Sequence, residues 1–307
     1  AVNHLQNALA LDRQTGRLSG ELSDGVALSE IRVIHQHDLD KGREVLQHLV
    51  PLASCVPEAM AKLPYYEANV AAQSGDLRGA LRLYDQTLTV GAERGFVAIQ
   101  KDAKFALAEI FVKLGRIDDA RALQSEFLNA ATDEKTSGCD AVDTYNQAGW
   151  VEYLASFAPN SGIQALEKAK SLFDQALAQE CKNGFAMANV YTNLVLVALR
   201  NGKTDDARNH LAHAKDASPN PGPYLEDWWR LAESRILIGE GRKDSRKAKL
   251  ALEMLEKLLD HARDAEVRLD AWLARAEAYD VLGDKAARQA YVEADVDALR
   301  YALGVEY

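Results

Sequence analysis

The chain has 307 residues, with 36 Lys and Arg against 46 Asp and Glu, for a formal net charge of −10. Hydrophobic residues make up 48% and charged residues 27%, a balance that excludes disordered and fibrous classes. The acidic balance argues against nucleic-acid binding, which needs clustered positive charge to meet phosphates.

The nearest basic run, Arg242 to Lys247, reads as a solvated loop. Apolar runs such as Leu194 to Leu199 fall far short of the ~18–20 residues that span a bilayer, so no membrane segment is expected. Ala1 to Gln6 have neither a basic leader nor a continuous apolar core, so no signal peptide is expected. Cys55, Cys139 and Cys181 contain no Cys-x-x-Cys pair and suggest neither a disulfide framework nor a zinc site. A reducing, cytoplasmic setting is the simple expectation. Seven prolines leave room for long helices, because proline removes a helical donor and clashes with the preceding turn.

Taken in chain order, residues 1–25 hold a short helical pattern, Leu5 to Leu11, as an N-terminal segment with no assigned packing. One motif then recurs: a small residue, a large one four positions on, and a small or apolar one three further. It reads Gly42/Leu46/Leu49, Ala80/Tyr84/Thr87, Ala120/Gln124/Phe127, Ala169/Phe173/Ala176, Ala207/Leu211/Ala214, Ala248/Leu252/Leu255 and Ala287/Tyr291/Ala294. The spacing puts each trio on one helical face. Successive anchors lie 38, 40, 49, 38, 41 and 39 residues apart, a period near 40 with one insertion. Ahead of each anchor a second helical stretch ends in a polar turn, with Gly75, Gly115, Gly202 and Gly283 suited to a left-handed helix stop. The fold expected is all-α: a right-handed α-solenoid of six to seven antiparallel helix hairpins over 26–298. The hairpins fall near 26–55, 60–93, 101–131, 143–180, 185–217, 224–262 and 266–298. Residues 299–307 form a C-terminal tail, whose apolar end is expected of a chain cut before another domain.

These residues resemble the tetratricopeptide repeat (TPR) family. Tyr191, Leu194, Val195, Ala198, Gly202, Ala207, Leu211, Ala214 and Pro219 follow its spacing. Trp272, Ala276, Tyr279, Gly283, Ala287, Tyr291 and Ala294 follow it with one turn residue missing. The period exceeds the family's usual 34, so the array is similar to the enlarged repeats of large bacterial signalling proteins. Within that group, Ala290 to Asp295 with Leu299, and Trp229 to Ile236, resemble the arrays that precede caspase-like CHAT protease domains. That likeness implies a regulatory half of a larger protease, since the protease's His/Cys pair has no counterpart here.

Catalysis is not expected. His35 and His37, near His48, are two apart and point to different helix faces. His210 and His213 share a face within a second helix, where packing or surface roles suffice. Cys139, in a polar loop, has no evident activating base. No metal, cofactor or phosphate-binding motif appears. An enzyme with chemistry embedded in a helical array is the alternative.

The reading instead is a non-catalytic scaffold or sensor that grips a protein or peptide on the face lined by the first helices. The repeat register points Tyr65, Asn69, Phe105, Glu109, Asn146, Trp150, Asn189, Asn193, Trp229, Arg230 and Glu233 inward. Asparagine amides both donate and accept, which suits a peptide backbone, and Trp, Tyr and Arg are the usual interface hot spots. Chaperone-binding TPR proteins need a Lys/Asn/Asn/Lys/Arg clamp. Asn193 and Arg230 fit it, but Asn146 and Trp150 stand where Lys and Asn are required. Asp143, Glu226 and Asp270 add negative charge near this rim, which favours a basic partner.

Overall fold

The computed structural model of the chain describes residues 2–36, 38–131, 138–158, 162–262 and 264–303. Fifteen α-helices and no strand occur among them. The chain divides into two compact units, residues 1–107 with 263–265 and 299–307, and residues 108–262 with 266–298.

The first unit holds α1 (Val2–Thr15), α2 (Leu18–Glu30), α3 (Leu39–Leu49), α4 (Ala59–Gln73), α5 (Leu77–Arg94) and the start of α6 (Val97–Lys113). A π-helical turn, Ile31–His35, extends α2, and a 3-10 turn, Val50–Ser54, follows α3. Neighbouring helices pack in sequence: α1 on α2, α2 on α3, and α4 on α5. Leu22 on α2 and Leu46 and Leu49 on α3 are buried in one apolar cluster. Helix α2 therefore starts at Leu18 and joins its hairpin well before residue 26. Asp76 caps α5 by accepting a hydrogen bond from the Gly79 amide at 2.7 Å, satisfying one of the donors a helix start leaves open.

The second unit continues with α7 (Ile117–Ala131), α8 (Cys139–Ala155), α9 (Gly162–Leu177), α10 (Gly184–Arg200), α11 (Thr204–Ala217), α12 (Pro223–Gly241), α13 (Ser245–His261), α14 (Ala265–Val281) from Glu266 on, and α15 (Ala286–Leu303) as far as Ala298. α8 pairs with α9, α10 with α11 and α12 with α13, while α8 also packs on α10 and α10 on α12. First helices of successive hairpins therefore share a side. The turn between α10 and α11 needs Gly202, whose φ of 69° is strained for any residue with a Cβ. The anchor trios close the hairpins: Ala169, Phe173 and Ala176 are fully buried, and so are Ala207 and Ala214. At Gly149 of α8 an added Cβ would stand 2.6 Å from the Phe173 ring, so glycine is what lets that ring seat. The last trio is looser, with Ala287 and Tyr291 only half-buried.

The cysteine expectation is corrected here. Cys139 and Cys181 form a disulfide with Cα atoms 4.7 Å apart, leaving Cys55 as the free thiol. Antiparallel α8 and α9 carry the chain out and back, so residues 42 positions apart meet at the hairpin's open end. With its sulfur in a disulfide, Cys139 has no thiol to act as a nucleophile. His37, Ser137, residues 159–161 and residues 304–307, along with the side chains of His35 and Phe127, lie outside the described residues.

Candidate functional site

On α10, Asn189, Thr192, Asn193, Leu196, Leu199 and Arg200 recur at three- and four-residue steps and so share one helix face. The same rule aligns Asn146, Trp150 and Tyr153 on α8, and Tyr224, Trp228 and Arg235 on α12. This shared face of the second unit opens as cavities rather than closing as a dry core.

One cavity, of about 90 Å³, brings five of the sequence candidates together: Glu109, Asn146, Trp150, Asn189 and Asn193. Asn193 Nδ2 donates to Asn146 Oδ1 at 2.9 Å, and both side chains are buried. The pair consumes one donor and one acceptor, leaving the Asn146 amide hydrogens and the Asn193 carbonyl to be met. Asn189 and Gln147 add half-buried amides to the wall. Trp150 stacks on Tyr153 at 5.3 Å and meets Trp228 edge-on at 5.9 Å. Glu109 and Glu266 also line the cavity, and both pair with Lys113. The volume suits a few waters or one small polar group.

The other candidates go elsewhere. Trp229 is buried and donates from Nε1 to Thr192 Oγ1 at 2.8 Å, so it locks α12 to α10 rather than facing outward. The adjacent Trp228 takes the inward place, because one residue turns a helix by about 100°. Arg230 is exposed, contacts His261 at 3.0 Å and lies 3.8 Å from Glu226. Glu233 pairs with Lys215 of α11. In the first unit, the Tyr84 hydroxyl donates to Asn69 Oδ1 at 2.6 Å. Tyr65 packs between Tyr66 and Tyr84, at 5.2 and 5.9 Å. Burial and the nearby Asp102 push the Tyr65 phenol well above its usual range, and burial with Glu30 and Asp102 lifts Tyr66 to about 12. Lys101 sits 5.7 Å from the centroid of the half-buried Phe105 ring. His210 and His213 both rest against Tyr191, at 6.5 and 5.3 Å, and burial lowers the His210 pKa. Among the described residues no group of three or more His, Cys, Asp and Glu is placed to hold a metal ion.

Two buried charge networks tie neighbouring helices of this unit, and the sequence reading missed both. Glu152 on α8 has no exposed side-chain surface and accepts two hydrogen bonds from Arg121 of α7 and one from Lys168 of α9. Burial works to raise its pKa, but those bonds outweigh it and hold the carboxyl below its ordinary value. Arg235 on α12 binds Asp270 and, at 3.0 Å, Glu277, both on α14. Burial works against its charge, and the two carboxylates hold the proton on all the same. Charges 16 to 42 residues apart carry no local pattern that would have paired them.

Among the described residues no helix is long and apolar enough to cross a membrane. Comparison with protein-family models and with curated protein sequences finds no match to this chain.

Proposed function

We propose that the chain is a non-catalytic scaffold that binds a protein or peptide segment on the first-helix face of its second unit, within a TPR-like right-handed α-solenoid. The observation that carries this is the convergence of Asn146, Asn189, Asn193 and Trp150 on one cavity. Asparagine amides there match the alternating donors and acceptors of a peptide backbone, while the aromatic pair beside them offers apolar contact area. The side-by-side packing of α8, α10 and α12 supports the solenoid reading, because stacked hairpins present their first helices as a continuous surface.

The partner favoured is basic. Glu109 and Glu266 line the cavity, and the chain as a whole carries −10. Opposite charge speeds encounter more than it tightens the complex, and the same excess disfavours nucleic acid. The cytoplasmic placement rested on unpaired cysteines. The Cys139–Cys181 bridge weighs against it, since such bonds persist in oxidising compartments.

The test is selection of displayed dodecamer peptides on the folded chain, followed by affinity measurement with the enriched sequences. Changing Asn189 and Gln147 together to Ala is expected to weaken the selected peptide about tenfold, the value of one or two lost hydrogen bonds. Enriched peptides that bind the double variant as well as the parent would move the site off this cavity. A selection that enriches nothing would remove the peptide reading.

A further inference from the structure

The same face of the second unit carries another, larger cavity of about 690 Å³, bordered by the C-terminal halves of α8, α10 and α12, by α14, by Thr204 of α11 and by Tyr291 of α15. This lies within the range of pockets that enclose a drug-sized organic molecule. Its apolar surface comes from Leu196 and Leu199 of α10, Ile238 of α12, and Leu273 and Val281 of α14. Tyr153 and Phe157 add aromatic surface at one side.

The charges around it divide into spent and available groups. Arg235 is fully engaged by Asp270 and Glu277, so this inner cluster binds α12 to α14 and has no guanidinium left for a ligand. Arg200 has capacity: its guanidinium lies 3.7 Å over the Phe157 ring and gives one hydrogen bond, at 2.8 Å, to the Ser156 carbonyl. Stacking holds that guanidinium in place while leaving most of its five donors open. Arg242, at the end of α12, forms no ion pair with the described residues. The Tyr153 side chain is more than nine-tenths buried, and its hydroxyl has no hydrogen-bond partner among the described residues. Asp280 is the available carboxylate, and it stands on α14 with the inner cluster. Two guanidiniums outside any ion pair of the described residues and an unmet hydroxyl therefore come from α8, α10 and the end of α12, and the negative charge belongs to α14.

We infer that this cavity is a binding site for an amphipathic organic anion, with an aromatic or aliphatic body on the leucines and a carboxylate held by Arg200, Arg242 and the Tyr153 hydroxyl. Guanidinium meets carboxylate through paired charge-assisted bonds, and an apolar body of this size desolvates the wall that surrounds them. This site is separate from the asparagine-lined cavity, and either proposal fails without the other.

Isothermal titration of the full chain with 2-naphthoate, and in parallel with its neutral isostere 2-naphthamide, tests it. The expected result is one equivalent of naphthoate bound, with the amide about tenfold weaker. Changing Arg200 and Arg242 together to Ala removes that preference; both residues are exposed, and circular dichroism checks that the fold persists. Leu273→Trp, from a partly exposed position on α14, fills the space and abolishes binding of both probes. Absence of saturable naphthoate binding overturns the proposal. So does equal affinity for the amide, or unchanged binding by either variant.

Discussion

Within the second unit, the second helices and the first-helix face are built from the same hairpins yet end in opposite states. On the second helices the inward residues are small and large apolar types, and Ala169, Phe173 and Ala176 close without exposed surface. On the first-helix face the corresponding positions carry Asn, Tyr, Trp and Arg, and that face opens as two cavities. The difference shows that the repeat consensus specifies packing within a hairpin and leaves the shared face free to carry chemistry.

The largest break in that contrast comes from the dry side. Phe173→Ala is expected to cost about 3–5 kcal/mol, because the ring is fully enclosed and seated closely against Gly149. Urea denaturation read by circular dichroism measures it, and a loss below about 1 kcal/mol would mean the hairpin collapses around the gap. Next comes the disulfide at the hairpin's open end. Cys139→Ser is expected to cost roughly 2–4 kcal/mol under oxidising conditions and nothing in the presence of a reductant. Equal stability of parent and variant without reductant would show the bridge to be mechanically idle.

Glu152 sharpens the comparison, since it is a charged residue on a first helix that is nonetheless fully enclosed. Glu152→Gln is expected to cost about 1–2 kcal/mol at neutral pH, less than a wholly buried pair because Arg121 and Lys168 can rehydrate. Its carboxyl titrates below the ordinary value, so its stabilising effect is complete above about pH 4.3 and fades as pH falls through the lower folded-state value. Urea midpoints of parent and variant should therefore converge in strong acid, and a constant gap would assign the effect to shape. The smallest effect belongs to the open side. Asn189→Ala is expected to shift stability by less than about 0.5 kcal/mol, since its amide is half-buried and makes no side-chain hydrogen bond with the described residues. A larger loss would place Asn189 in the scaffold rather than in a site.

Much of the helix pattern was legible because it is periodic. The small–large–small trios mark the buried faces of α3, α5, α9 and α11, and the turn glycines at 75, 115, 202 and 283 all have positive φ. The site was legible in part. Asn146, Asn189 and Asn193 fall on the shared face by spacing alone, whereas the tandem tryptophans were read one residue out of register. Either indole fits an amphipathic helix, and the Trp229 bond to Thr192 is formed only when α12 lies against α10.

The sequence by itself determined which faces bury, because side-chain size and helical period act within one turn of the chain. Tertiary structure alone decided the disulfide, the Glu152 and Arg235 networks, and which guanidiniums stay unspent. Each of these depends on groups far apart in sequence being brought within a few ångströms, and no local pattern encodes that distance. The net charge of −10 was visible from the outset. Where positive charge remains available within it, at Arg200 and Arg242, follows only from the hairpin stacking that gives Arg235 its two carboxylates.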